Sequence, residues 1–347
     1  MNENNSLRVA VYNIIFSTLC ILITLILITF YWPQNNSVKD VKVIINYGDP
    51  LSVITKKLKN KKLISNEMIF NMVAKLNGVE NSIPAGIFLI SDANTNIKLI
   101  NCLVKNSPQI KKITLLEGWT IKQSINYLAE EMGFDYKNFE MIISDIDIIN
   151  DFDINTDNME GYIYPETYYF FEGQSELSVI KKIINEYKNF WNKENIARAK
   201  KLRMTQHEIV TLASIIEGEA IYDSERPIIS AVYHNRLNIG MKLQADPTVQ
   251  YIIKDGPRRL LNKDLKIKSP YNTYLNKGLP PGPINNPGIE SIKAALYPAE
   301  TDYIYFVARG DGYHTFSRTK EEHNIAKKKF QKIRRELKKQ QSKKGNT

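Results

Sequence analysis

Val9–Trp32, VAVYNIIFSTLCILITLILITFYW, runs for 24 residues without a charge. One helix of that length crosses the roughly 30 Å hydrocarbon core of a bilayer. The run constrains the architecture more than any other feature, because whatever follows folds as a body tethered at its N-terminus. Tyr31 and Trp32 close the run, where aromatic rings anchor at a membrane interface. A cleaved signal has a shorter apolar core and an A-x-A type site, and that site is missing here, so the run reads as an uncleaved anchor. Arg8 and the amino terminus face Lys39 and Lys42 across it, which leaves only a slight positive-inside bias. The expected topology is a cytoplasmic tail (1–8), an anchor (9–32), a polar linker (33–40) and all the rest outside the cytoplasm.

The remaining chain is globular in composition, with 43% hydrophobic and 24% charged residues over a length of 347. Its net charge of +10 suits nucleic acid, anionic lipid or an acidic polymer. A nucleic-acid binder is disfavoured by the anchor and by the lack of a concentrated basic–aromatic motif. Cys20 and Cys102 lie far apart, which argues against a disulfide framework or a thiolate zinc site. His207, His234, His314 and His323 show no metal-ligand spacing, so neither metal nor cofactor is implied.

VKVIINYGDPLSVITKKLKNKKLI reads as a β-branched strand, a glycine turn and a helix with Leu51, Ile54 and Leu58 at helical spacing. ITLLEGWTIKQSINYLAEEM repeats the layout: Gly48 precedes Leu51 and Leu58 as Gly118 precedes Ile121 and Leu128. Two related strand–turn–helix units and two ordinary strand-to-helix connections both account for the echo. The acidic stretch 144–158 reads as a boundary, giving one region at 41–150 and a second at 151–335 before a basic tail, 336–347. In the second, helices are expected at about 177–201 and 205–220, then over ERPIISAVYHNRLNIG with Gly240 as its stop. SPYNTYLNKGLPPGPINNPG is a long loop, either ordered or disordered. DYIYFVARG is a strand, and a basic helix ends the chain. The fold class expected is α+β.

MTQHEIVTLASIIEGEA combines Thr205 with Glu208 three residues on, a capping box. At 100° per residue Ile209, Leu212, Ala213 and Ile216 share a stripe, and Glu219 continues its edge. Glu217 projects from nearly the opposite side, so the two carboxyls cannot easily act on one atom. A carboxyl held against apolar neighbours has a raised pKa and is suited to general-acid chemistry. A frayed helix end with two solvated glutamates accounts for the same letters, and Gly218 favours fraying.

Together these segments resemble the endolytic murein transglycosylases, the YceG-like or MltG family. The resemblance rests on EGYIYPETY (160–168), LASIIEGEA (212–220), ERPIISAVYHNRLNIGMKLQADPTVQY (225–251), SPYNTYLNKGLPPGPINNPG (269–288), ALYPAETDYIYFVA (295–308) and YHTFSRTKEEHN (313–324). It implies a single-pass protein of the inner membrane with its bulk in the periplasm, a LysM-like peptidoglycan-associated region at 41–150 and a mixed α+β catalytic domain. It maps the catalytic carboxyl to Glu219, with Glu217 in reserve because Gly218 stands where the family has a larger residue. Substrate contacts are expected from Asn235, Gln244, Asp246, Thr248, Tyr271, Asn272, Tyr274 and Glu160. Tyr164 is placed near the site, and His314 and Ser317 have a structural reading. The implied partners are peptidoglycan glycan strands and peptidoglycan synthases.

The implied reaction cuts the MurNAc–GlcNAc bond of nascent strands and closes a 1,6-anhydro ring, which uses no water and needs no second carboxylate. A hydrolytic muramidase is the nearest alternative and would need Glu217, Asp246 or Glu225 to activate water. A silent glycan-binding scaffold of the cell-wall machinery is the other.

Overall fold

The computed structural model describes residues 3–31, 40–46, 48–91, 93–105, 110–151, 154, 156, 158–171, 174–253 and 258–344. Trp32, Lys39, the linker 33–39 and the last three residues of the basic tail lie outside the described residues. The chain packs as two compact units, residues 1–112 with 169–178 and residues 113–168 with 179–347.

The first unit begins with α1 (Glu3–Tyr31), in which Val11–Tyr31 is long and apolar enough to cross a membrane. There follow β1 (Val41–Ile45), α2 (Leu51–Asn60), α3 (Glu67–Leu76), β2 (Gly86–Ile90) and α4 (Asn96–Lys105). β1 and β2 pair antiparallel, Val41 opposite Ile90 and Ile45 opposite Gly86. Strand alternation turns Val43 and Ile45 inward onto Leu58, Phe70, Val73, Leu99 and Leu103. Asn66 starts α3 by accepting the backbone N–H groups of Met68 and Ile69. At the end of α1, Phe30 packs on this core and the Asn96 amide donates to the Thr29 carbonyl at 3.2 Å.

The chain passes from one unit to the other within a two-stranded sheet formed by β3 (Ile110–Thr114) and β4 (Thr167–Phe171). Between these strands lie α5 (Ile121–Met132), α6 (Tyr136–Ser144) and α7 (Ile146–Asp151). The echo in the sequence is visible in the backbone: Gly48 and Gly118 both take positive φ, +82° and +74°, between a strand and a helix that starts three residues later. The acidic stretch 144–158 holds α7, and residues 113–150 pack with the second unit.

The second unit continues with α8 (Glu176–Phe190), α9 (Lys193–Lys201), α10 (Gln206–Glu219), α11 (Arg226–Asn238), α12 (Asp246–Tyr251), α13 (Ile289–Leu296), β5 (Tyr305–Ala308), β6 (His314–Ser317) and α14 (Lys320–Lys344). The helix expected over 177–201 is two helices. Asn192 takes an extended backbone and accepts the Asn195 N–H, capping α9 and ending continuity with α8. α10 lies at the centre, touching α9, α11, α12 and α13. The Thr205–Glu208 capping box is present at its start. Its apolar residues do not form one stripe, however: every residue from Ile209 to Ile216 is buried. A helix surrounded on all sides is buried on all sides, and its polar members Thr211 and Ser214 bond back to the His207 and Thr211 carbonyls.

Candidate active site

α10 ends at Glu219 and hands the chain to an extended Ala220. Gly218 is helical, and a Cβ there would lie 2.6 Å from Pro247 Cβ, so a glycine lets α12 close on the last turn. The glycine that suggests fraying is therefore a packing site, and the helix persists through it. The two glutamates beside it leave on different sides, as helix geometry requires.

Glu217 Oε2 accepts the Gly288 N–H at 3.0 Å and pairs with Arg226 Nη1 at 3.1 Å, both side chains 7% exposed. The same guanidinium donates to Asp223 Oδ1 at 2.9 Å and to Ser291 Oγ. Arg226 thus ties Glu217 into a hydrogen-bonded structural cluster.

Glu219 is half-buried, and its Oε1 accepts the Tyr233 hydroxyl at 3.1 Å. Its pKa is raised to about 7, first by desolvation and second by the negative charge of Asp246. The Tyr233 hydroxyl, the Arg236 charge and the Asp246 N–H oppose the rise without cancelling it. Burial and Asp246 thus keep Glu219 protonated up to neutral pH.

Asp246 opens α12 and is exposed, and its Oδ1 accepts the Tyr274 hydroxyl at 2.5 Å. Tyr274 is aimed in turn by the buried Asn272, whose Oδ1 accepts the Tyr274 N–H at 2.9 Å while its amide donates to Leu265 and Ile267 carbonyls. A relay of positions thus runs from Asn272 through Tyr274 and Asp246 to Glu219. Gln244, exposed two residues before Asp246, has a left-handed backbone with φ +50°. Neighbours fix that costly conformation: its N–H bonds Thr273 O at 3.2 Å, and Arg236 Nη1 holds the Leu243 carbonyl. Thr248 is buried, with its hydroxyl on Ala245 O at 2.7 Å and Thr273 Oγ1 at 2.9 Å.

Asn235 donates to the Thr301 and Tyr303 carbonyls at 2.8 and 2.9 Å, tying α11 to the segment before β5. Tyr271 packs on Tyr251, ring centroids 5.1 Å apart, at the far end of α12 from Asp246. Glu160 is 4% exposed, and its Oε1 accepts the Ile121 N–H at 2.8 Å, at the start of α5. Desolvation raises its pKa to about 7, against the opposing Ile121 and Gly161 N–H groups. Tyr164 is buried and its carbonyl accepts the Tyr168 hydroxyl. Glu225 bonds His314 through both carboxylate oxygens, to its N–H at 2.9 Å and its Nδ1 at 2.8 Å, and the Ser317 carbonyl accepts the Ile304 N–H.

The structure thus brings Glu219, Asp246, Tyr274 and Gln244 to one place, while Asn272 and Thr248 brace it from beneath. Asn235, Tyr271 and Glu160 have their own partners elsewhere in the unit. Sequence reading missed Tyr233 and Arg236, which lie on α11 three residues apart and so share a face. A tyrosine and an arginine at that spacing in a helix otherwise rich in apolar residues are the signal that was available. It also missed Asn286, whose Oδ1 accepts the N–H groups of Gly161 and Ile163 at 3.0 Å. The Pro/Gly loop carrying it is ordered against α10: Ile284 N–H bonds Ser214 Oγ, and Asn285 bonds Ser214 O.

Residues 43–329 match the YceG-like family. The chain belongs to that family. An endolytic murein transglycosylase from Bacillus subtilis (strain 168) is 34% identical over 312 residues, covering 86% of both chains. A protein of the same name from Streptococcus pneumoniae serotype 2 is 27% identical over 84% of this chain, which spans 59% of that longer protein. The crystal structure of a yceG-like protein from Listeria monocytogenes aligns with TM-score 0.57 at 32% identity, covering 83% of this chain and 98% of that one.

Proposed function

We propose that this YceG-like protein is an endolytic murein transglycosylase, a lyase that cuts the MurNAc–GlcNAc bond of nascent glycan strands. One observation carries the site assignment: of the two glutamates ending α10, only Glu219 is left without a cationic hydrogen-bonding partner and is held protonated to about pH 7. The names of the relatives support the reaction class.

Glu219 gives its proton to the bridging oxygen as the C1–O bond breaks, and positive charge develops at C1 of MurNAc. The carboxylate left behind then takes the proton of the C6 hydroxyl while that oxygen bonds to C1, closing the 1,6-anhydro ring. The proton returns to Glu219 and water takes no part. Asp246, fixed by Tyr274, places negative charge beside the developing cation and helps keep Glu219 protonated up to near neutrality. Gln244 and Tyr274 present an amide and a phenol to the sugar, while Asn272 and Thr248 position the loops that carry them and Asn235 ties α11 to the segment before β5. Tyr271 packs on Tyr251, and the buried Glu160 braces the start of α5 rather than touching the glycan. A hydrolytic reaction would need a second carboxylate to activate water; Glu217 and Glu225 are engaged by Arg226 and His314, and Asp246 holds the Tyr274 hydroxyl on one oxygen.

The β1–α2–α3–β2 arrangement, antiparallel and closed on its own core, supports a LysM-like, glycan-associated role for the region after the anchor. α1 supports a single-pass location in the inner membrane with the body on the periplasmic side, beside the synthases that make the strand.

Mass spectrometry of peptidoglycan digested by the full chain, run beside Glu219→Gln and Glu217→Gln, tests the assignment. The expected result is 1,6-anhydro-MurNAc ends from the wild type and Glu217→Gln, lost with Glu219→Gln. Hydrated reducing ends would make the protein a muramidase. Retained binding without cleavage by the wild type would make it a scaffold.

A further inference from the structure

α3 carries more apolar surface than its own unit covers. At 100° per residue Phe70, Val73 and Ala74 share the arc facing the core. The adjoining arc, about 100° wide, holds Met68, Ile69, Met72 and Leu76. These four are 75%, 36%, 48% and 65% exposed. Glu67 and Asn71 occupy the remaining side, and Lys75 borders the apolar arc.

The neighbourhood of this face identifies what covers it. α1 touches both α3 and α4, Phe30 packs on the unit's core, and Asn96 in the first turn of α4 holds the Thr29 carbonyl. Thr29 and Phe30 are among the last residues of the apolar span, which ends at Tyr31. The unit therefore sits against the end of the span, the level at which a spanning helix leaves the hydrocarbon. Lys75 borders the face on α3 and Lys98 follows Asn96 in the first turn of α4; both are exposed, as basic residues facing anionic headgroups are.

We propose that the Met68–Ile69–Met72–Leu76 face of α3 lies in the headgroup region of the membrane, so that the first unit rests on the bilayer as well as hanging from it. The occupant is lipid, an anionic bilayer surface. The inference rests on the reading of α1 as a membrane anchor. Flexible, polarisable methionines on a shallow apolar face suit a fluid partner.

The test uses the full chain with Cys20→Ser and Cys102→Ser, carrying one bimane-labelled cysteine, in vesicles of phosphatidylcholine and phosphatidylglycerol. Labels are placed in turn at Met72→Cys, at Glu67→Cys on the other side of α3 and at Ile21→Cys within the span. Fluorescence is quenched either by a lipid carrying a shallow doxyl group or by aqueous iodide. The expected result is that Met72→Cys is quenched several-fold more by the lipid than by iodide, and Glu67→Cys the reverse. Quenching of Met72→Cys by iodide while Ile21→Cys is quenched by lipid overturns the proposal and leaves the anchor standing. Protection of Met72→Cys from both quenchers overturns it in favour of a protein partner or a second copy. Loss of lipid quenching at Ile21→Cys removes the anchor reading and this inference together.

Discussion

The two sides of the last turn of α10 show how one local sequence produces two kinds of glutamate. On one side Glu217 meets a guanidinium, a backbone N–H and a hydroxyl-bonded arginine network, and its charge is matched within contact distance. On the other side Glu219 meets a phenol and, beside it, a second carboxylate. The first arrangement ties the helix end into the fold. The second disfavours ionisation and leaves a proton available for transfer. Two residues of separation suffice because a helix turns them to different neighbours.

The largest effect expected from this contrast is on catalysis. Glu219→Gln should lower formation of anhydro ends by about 10³-fold with the fold intact, as removal of a general acid does. Glu217→Ala should show the opposite signature, a loss of roughly 3 kcal/mol in denaturant unfolding from leaving Arg226 without its buried partner. Equal effects of both variants on activity and stability would erase the distinction between the two sides.

Gly218→Ala tests the wedge between them. Its methyl would enter the space of Pro247, so α12 must shift and carry Asp246 off Glu219. A cost of about 1–3 kcal/mol is expected, with activity falling more than stability alone explains. Full activity in this variant would show that α12 is not held at a critical distance.

The smallest effects are in pH dependence. With Glu219 as the proposed general acid, kcat/KM should fall as pH rises past about 7. Asp246→Asn removes a charge that raises this pKa and should move the alkaline limb to lower pH; Tyr233→Phe removes a bond that lowers it and should move the limb higher. Stability follows the same sign. A carboxyl whose pKa is raised by folding favours the fold fully below its unfolded pKa and loses that contribution as pH climbs to about 7. Glu219→Gln should therefore gain stability relative to wild type between pH 5 and pH 8, measured as the difference in Tm.

Much of this site was legible in the letters. Periodicity placed Thr205 at the start of a helix and sent Glu217 and Glu219 to different sides, since capping and helical rotation are local rules. What periodicity misjudged was the extent of burial around α10, because burial depends on how many neighbours arrive. Asn272 and Thr248 show the same limit. Their side chains can bond sugars or backbone equally well, and only the folded loops bring Leu265, Ile267, Ala245 and Thr273 to them. The break between α8 and α9 lay in Asn192, whose side chain competes for a helix N–H as caps do.

The sequence by itself determined the apolar N-terminal helix, the α+β alternation, the family and the pair of candidate carboxyls, all of which follow from composition, local periodicity or long motifs. Only the tertiary structure gave the two carboxyls their different surroundings. It did so by placing Arg226 beside one and Tyr233 and Asp246 beside the other, residues far enough along the chain that no local rule relates them. Proton affinity depends on desolvation and on charges within a few ångströms, and those distances exist only after the helices have packed.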